Sequence, residues 1–487
     1  MNVRLRLAFL LPVATLVASA PGAAWGRGPS SQADLTLTSR ISQLVARPGG
    51  LSADEVAARA VATSFNVRAR QLDVMAAAAG VDQALVGYFP RLSLQLRFVR
   101  LSEIDSQSLA VVVAPRSPAG LLAPGAPLAN APLKFDVPLN QTTLQATLAV
   151  PLSEYVLRIP EANRAIRLSR DAARFNEQAA RLQIAADARQ LYYNWARARL
   201  QSVVAEQALV QTRAHLEAGK HLFEAGTVNK ADVLRVEAQV ASTELFLTRA
   251  RNLEIVLEDQ LRTAMHETGE HHYEIGEDLR TELPAYSTGP FEQLLDEAFA
   301  HRYELKVLSA NREAQKAQAR VALADALPHV DLFGDLVYAN PNQRYFPPRD
   351  QFDTTWDVGL AVRWSPNETA AGVYGSRVAD AKTLQVAAQL GVVRDGLRNE
   401  TMQSYQALRE ADFAVQSTAR GLDAAEESYR VRRELFQNGR ATSIELTDAE
   451  TDLTQARLNA VAARIDQRIA RVRLTHAIGR DADPHKI

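Results

Sequence analysis

A short motif recurs at a spacing of 213 residues, and it constrains this chain more than any other feature. The first copy is Leu222-Phe223-Glu224-Ala225-Gly226-Thr227-Val228, running into Ala231-Asp232-Val233-Leu234. The second is Leu435-Phe436-Gln437-Asn438-Gly439-Arg440-Ala441, running into Ile444-Glu445-Leu446. In each, a glycine interrupts two long stretches of helix-forming sequence. Glycine has no Cβ to clash in the left-handed conformation that commonly ends a helix. Asn229 and Ser443 offer N-caps for the helices that follow. Each copy therefore predicts the sharp tip of a very long helical hairpin, with tips at 222–228 and 435–443.

The flanks repeat as well. Ile184, Ala188, Leu191, Trp195, Ala198 and Ser202 step by four and three, and Leu397, Thr401, Ser404, Leu408, Ala411 and Val415 answer them 213 residues later. After the tips, Val236, Val240, Thr243 and Leu247 match Ala449, Leu453, Ala456 and Ala460. A mean step of about 3.5 residues is the coiled-coil period. From Pro160 to Lys220 the helix would run about 90 Å, at about 1.5 Å per residue.

Upstream of each hairpin the pattern also occurs twice. Ser52-Ala53-Asp54-Glu55 is a capping-box signature, and a helix is expected from there to about Val86. Its counterpart starts near Phe291 and runs through Val321. The two end at Tyr88-Phe89-Pro90 and Ala326-Leu327-Pro328, as helices tend to end before proline. Beyond each proline the period becomes two. Leu92, Leu94, Leu96 and Phe98 alternate with polar residues, as do Leu144, Ala146, Leu148 and Val150. Val330, Leu332, Leu336 and Tyr338, then Trp356, Val358, Leu360, Val362 and Trp364, do the same in the second half. Strands are expected at about 91–101, 141–152, 329–338 and 352–364, lengths that suit tilted membrane-spanning strands. Aromatic residues near their ends suit the membrane interface. The first connection, Ser102 to Asn140, is rich in Pro, Ala and Gly, and the second, Ala339 to Gln351, is short. Four strands cannot close by themselves, because an unpaired edge in hydrocarbon leaves backbone groups unsatisfied, and barrels begin at about eight strands. Closure demands several copies of the chain.

The expected organisation is a signal peptide at 1–26, a loosely held lead-in at 27–50, a first repeat at 51–266, a linker at 267–290, a second repeat at 291–479 and a tail at 480–487. The signal rests on Arg4 and Arg6, the apolar Leu7 to Ala18, and the small-x-small site Ala24-Trp25-Gly26. A net charge of −1 gives no electrostatic case for nucleic acid. Cysteine is absent, which excludes disulfides and thiolate chemistry. There is no phosphate-cradling glycine loop, HExxH or nucleophile elbow, so no enzyme, cofactor or metal is expected. His271 and His272 read as a solvated pair, and Tyr192, Tyr193 and Trp195 as packing residues.

The chain resembles the TolC-like outer-membrane efflux proteins. The resemblance is carried by Leu51 to Glu55, Tyr88-Phe89-Pro90, Val150-Pro151-Leu152, Phe223 to Glu237 and Phe436 to Glu450, and spans about Leu51 to Gly479. It implies an α+β fold with an internal two-fold repeat. A homotrimer closes a membrane β-barrel of four strands per chain, continuous with a long periplasmic α-helical coiled-coil barrel. Such a duct sits in outer-membrane lipid. It serves a tripartite efflux or type I secretion system, docking a periplasmic adaptor (membrane fusion) protein and an inner-membrane transporter. The resemblance implies adaptor docking at Phe223, Gly226, Thr227, Val228, Phe436, Gly439, Arg440 and Ala441. It also implies a periplasmic gate at Glu445 and Asp448, which stand three apart on one helical face. The aligned residues of the first repeat are Asp232 and Arg235. Two features depart from the family pattern: Ser365-Pro366-Asn367-Glu368 replaces a Gly-rich turn, and no N-terminal cysteine is available for a lipid. The alternative, a structural periplasmic coiled coil tethering envelope layers, has no need of lipid-facing strands.

Overall fold

A computed structural model describes residues 39–482 apart from 104–108, 114–124, 126, 128, 134–137, 270, 282, 285 and 287–288. The expected signal peptide and the residues after 482 lie outside the described residues. The first half runs α1 (Ala53–Thr63), α2 (Phe65–Leu85), β1 (Arg91–Arg100), β2 (Leu109–Val113), β3 (Ala129–Leu133), β4 (Asn140–Pro151), α3 (Leu152–Leu157), α4 (Ile159–Glu224) and α5 (Lys230–Ala264). The second runs α6 (Phe291–His301), α7 (Tyr303–Ala324), β5 (His329–Asn340), β6 (Asp353–Arg363), α8 (Pro366–Gln437) and α9 (Ser443–Ala477).

The capping box at Ser52 forms as its spacing requires, with Ser52 and Glu55 each receiving the other's backbone N–H. The single helix expected from Ser52 to Val86 is, however, two. Ser64 adopts φ −62°, ψ 123°, and its hydroxyl accepts from Val67 N, so it ends α1 and caps α2. Arg302 breaks the second half with almost the same angles, φ −63° and ψ 124°. No side-chain cap serves there. Instead the buried Arg302 guanidinium donates to the carboxylates of Glu304 and Glu400 and to the carbonyl of His476, tying the break to α8 and α9.

The long helices have 66 and 72 residues, about 100 and 108 Å at a rise of about 1.5 Å, and the returning helices α5 and α9 have 35 each. Pro160 and Pro366 sit in the first turns of α4 and α8, where the missing N–H costs nothing and φ is preset for a helix. Pro366 thus starts a helix where the family pattern has a Gly-rich turn. The predicted seams point inward: Ala188, Trp195, Ala198 and Ser202 on α4 are buried, as are Leu397, Thr401, Ser404, Leu408 and Ala411 on α8.

The main sheet is antiparallel in the order β1-β4-β5-β6. Its register aligns like with like. Leu94, Ala146, Leu336 and Trp356 form one row across all four strands, and Ser93, Thr147, Asp335 and Asp357 the adjacent row on the other face. The Pro-, Ala- and Gly-rich first connection contains a further hairpin, β2–β3, in which Pro132 pairs with Ala110. A hairpin edge tolerates proline, whose missing N–H can face outward.

The lead-in, expected to be loosely held, is packed from residue 39 onward against the linker, which has little regular structure. In the lead-in, Arg47 N donates to Ile275 O and Leu51 N to Glu274 O, while Gly276 N donates back to Leu51 O at 2.7 Å. A Cβ on Gly276 would lie 2.3 Å from the Gly50 carbonyl oxygen, so this approach requires glycine. The linker's Tyr273, Ile275 and Leu279 join a core with Val56, Leu261, Met265, Tyr192 and Trp195. Tyr192 Oη donates to Leu51 O at 2.8 Å and Tyr193 Oη to Glu277 at 3.1 Å, and burial pushes both phenols up. These aromatics pack, as their helical spacing predicted.

Candidate functional site

Two parts of the molecule carry the candidate residues: the sheet, and the tips of the hairpins. On the sheet, the period-two pattern gathers Leu92, Leu94, Leu96 and Phe98 with Trp356, Val358, Leu360 and Val362 onto one face. Among the described residues nothing covers that face: Leu94 is 72% exposed and Val362 68%. The opposite face carries hydrogen-bonded polar groups. Asp335 accepts from Gln145 Nε2 at 2.9 Å and from the Thr147 hydroxyl, and Asp357 receives the Arg344 guanidinium at 2.6 Å. Phe333 lies across Gly359, where a Cβ would come within 2.8 Å of its ring. Aromatic residues cluster at the strand ends: Tyr338 stacks on Phe352 at 4.9 Å, and Trp364 Nε1 donates to Thr369. Both outer strands, β1 and β6, have one unpaired edge.

At the other end, both tips close with the same hydrogen bonds. Thr227 N donates to Leu222 O and Gly226 N to Phe223 O; Arg440 N donates to Leu435 O and Gly439 N to Phe436 O. This is the Schellman arrangement, which needs a left-handed residue after the helix, and Gly226 and Gly439 supply it at φ +73° and +66°. No atom lies within 4 Å of a Cβ built on either glycine, so it is backbone conformation and not space that demands glycine here.

Asn229 caps α5 as expected, its side chain accepting from Asp232 N. The second cap is Thr442 and not Ser443. Thr442 accepts from Glu445 N, the Glu445 carboxylate accepts from Thr442 N, and Ser443 falls inside the first turn, buried.

The other predicted residues divide by exposure. Phe223, Gly226, Thr227, Gly439 and Arg440 are exposed, and Val228 and Ala441 half-buried. Phe436, grouped with the docking tip from sequence, is 3% exposed. Its ring packs edge-on against His215 at 5.1 Å, in a cluster with Tyr429, Leu446 and Leu453. It supports the tip from beneath and does not form its surface.

Glu445 and Asp448 share the first turns of α9, in different states. The Glu445 carboxylate accepts from Thr442 N at 2.9 Å and from Arg432 at 2.6 Å. The Thr442 amide, and after it the Arg432 guanidinium, hold its carboxyl below the usual carboxylate range. Asp448 is exposed. Of the residues near this pair in sequence, Arg432 pairs with Glu445 and Tyr429 is buried. Sequence reasoning missed His215, buried between Glu450 and Ser443, because no local pattern marks a pairing across more than 200 residues.

No helix among the described residues is long and apolar enough to cross a membrane. The sequence profile described as "Outer membrane efflux protein" matches residues 56–265 and again 294–480. No curated protein sequence matches significantly. Among solved structures, the Vibrio cholerae outer membrane protein VceC is similar at 16% identity and a TM-score of 0.68, over 88% of this chain and 96% of its own. The Campylobacter jejuni CmeC outer membrane channel is similar at 12% identity and a TM-score of 0.70, over 97% and 94%. The open state of the Neisseria gonorrhoeae MtrE outer membrane channel is similar at 15% identity and a TM-score of 0.69, over 88% of each chain.

Proposed function

This chain belongs to the outer membrane efflux protein family, and from that premise we propose that three copies close a β-barrel in the outer membrane and continue it as a helical tunnel in the periplasm. The observation that carries this reading is the four-stranded sheet with two unpaired edges and an uncovered apolar face. In hydrocarbon both edges must be paired, and a ring of copies pairs β1 of one with β6 of the next. The apolar rows then face lipid, and the rows of Asp335 and Thr147 face a water-filled lumen.

The duct is passive and completes a tripartite export system. Its tips, at Phe223, Gly226, Thr227 and Val228 and at Gly439, Arg440 and Ala441, meet the helical hairpins of a periplasmic adaptor, which joins it to an inner-membrane transporter. Glu445 and Asp448 form the periplasmic gate: in a trimer they bring six carboxylates around one axis, and a constriction lined by one sign of charge focuses the potential. A tethering coiled coil would leave the apolar face without a use. The test is ion conductance of the purified protein in planar lipid bilayers. Discrete channels with cation preference are expected; a protein that inserts and never conducts would leave only the tether.

A further inference from the structure

Between the linker and the middle of the second hairpin lies a cavity of about 490 Å³, a size that suits a small molecule. Its charged lining is Arg280, Arg464, Arg468 and Arg471 against the single carboxylate of Asp412. On α9, Arg464, Arg468 and Arg471 are spaced by four and three, so one helical face carries all three. Like charges at that spacing repel, and the packing of α9 on its neighbours does not call for them.

The four guanidiniums differ in what holds them. Arg280 is matched, its Nε and Nη2 donating to the Asp278 carboxylate at 3.0 and 3.1 Å. Arg468 is 5% exposed, and among the described residues its guanidinium donates to backbone carbonyls alone, those of Arg464, Asp278 and Thr281. Glu277, whose charge it also feels, is engaged by Ala53 N at 2.6 Å and by the Tyr193 hydroxyl at 3.1 Å. Burial accordingly pushes the Arg468 guanidinium down from the ordinary arginine value. Arg471 donates to Pro284 O at 3.0 Å and lies over the Tyr286 ring at 4.8 Å, which fixes it in place without matching its charge. The exposed Arg464 guanidinium has no ion pair or hydrogen bond among the described residues. Asp412 accepts from Gln467 Nε2 at 2.8 Å. Three unmatched guanidiniums against one carboxylate leave an excess of two positive charges in the cavity.

A ligand that brings two negative charges on oxygen atoms satisfies such a site, because guanidinium forks receive carboxylate and phosphate oxygens in pairs. Leu283, Pro284, Leu408 and Val415 line the rest of the cavity and leave apolar room beside the charge. We propose that this cavity binds a small organic dianion, a phosphate monoester or a dicarboxylate, between Arg464, Arg468 and Arg471. The bound ligand joins the linker to both helices of the second hairpin. The site lies within one chain and stands whether or not three copies close a barrel.

The test is calorimetric titration of the full-length protein in detergent with phenyl phosphate, phthalate and inorganic phosphate, at constant ionic strength. Phenyl phosphate or phthalate should bind at one site per chain, about fivefold or more tighter than inorganic phosphate, which has no apolar body. Saturation by phenyl phosphate alone identifies phosphate esters as the ligands, and by phthalate alone dicarboxylates. Arg464→Gln, at an exposed position with no side-chain partner to lose, should weaken binding about tenfold. Asp412→Asn removes the opposing carboxylate and should tighten binding severalfold. Arg394→Gln, at an exposed position of α8 outside the cavity, should bind like the parent. The site is overturned if neither organic dianion saturates the protein below about 10 mM. Parental affinity in Arg464→Gln, or an equal loss in Arg394→Gln, overturns it as well, and inorganic phosphate binding as tightly as the two organic dianions overturns the organic ligand.

Discussion

Glu445 and Asp448 look equivalent as letters in the sequence, and their surroundings make them different. Glu445 is engaged by its own cap and by Arg432, and its depressed carboxyl means that this engagement is fully present at neutral pH and is lost only as pH falls through the lowered value. Its charge is therefore partly neutralised by a fixed partner, while the carboxylate of Asp448 is open to solvent. If the pair forms the gate, the two should contribute unequally. Asp448→Asn should reduce cation preference and block by divalent ions severalfold, because oxygen-rich rings suit hard cations. Glu445→Gln should change selectivity less and loosen closure more, since it weakens the hold of Arg432. Single-channel recording of both variants decides this, and equal effects would show that the local pairing is irrelevant to conduction. The acidic pair was legible in the sequence; the cap at Thr442 and the burial of Phe436 were not, because a one-residue choice of cap and the inward side of a tip are settled by tertiary packing.

At the scale of elements, the strands were the most legible part. Period-two alternation marked all four, β1 and β5 being led by a proline, and the register places the alternating residues on the faces they implied. That face carries a sharp expectation. Leu360 lies mid-strand on the apolar face of β6 and Thr355 on the polar face. Leu360→Lys should cost about 2–4 kcal/mol of folding stability in lipid, and Thr355→Lys far less. Denaturant titration of refolding into vesicles measures the difference, and equal costs would mean that the apolar face does not meet lipid. The helices were legible as periods but not as interruptions. Ser64 carried a capping side chain that could have signalled the break; Arg302 carried none, because its break is held by the neighbouring Glu304 and by Glu400 across the fold. The packing of the linker was not legible for a related reason. Its Gly, Pro and His content describes a backbone without regular structure, and says nothing of Ile275 and Tyr273 filling a core.

For the whole molecule, the absence of cysteine becomes an advantage. A cysteine fixed at Gln95 on β1, with a second moved along β6 between Thr355 and Ala361, should yield a covalent trimer at the matching register, resolved on denaturing gels. Cross-linking should stop at three chains, and a ladder ending at two or running past three would overturn the ring. The lengths of α4 and α8 carry a further consequence. A helix about 100 Å long is a lever arm, and a rotation of one degree about its far end moves its tip by roughly 2 Å. That displacement equals the difference between a hydrogen bond made and one lost. Small ties at the tips therefore act with great mechanical advantage, and the angle of an entire hairpin can be set by a handful of weak bonds applied where the leverage is greatest.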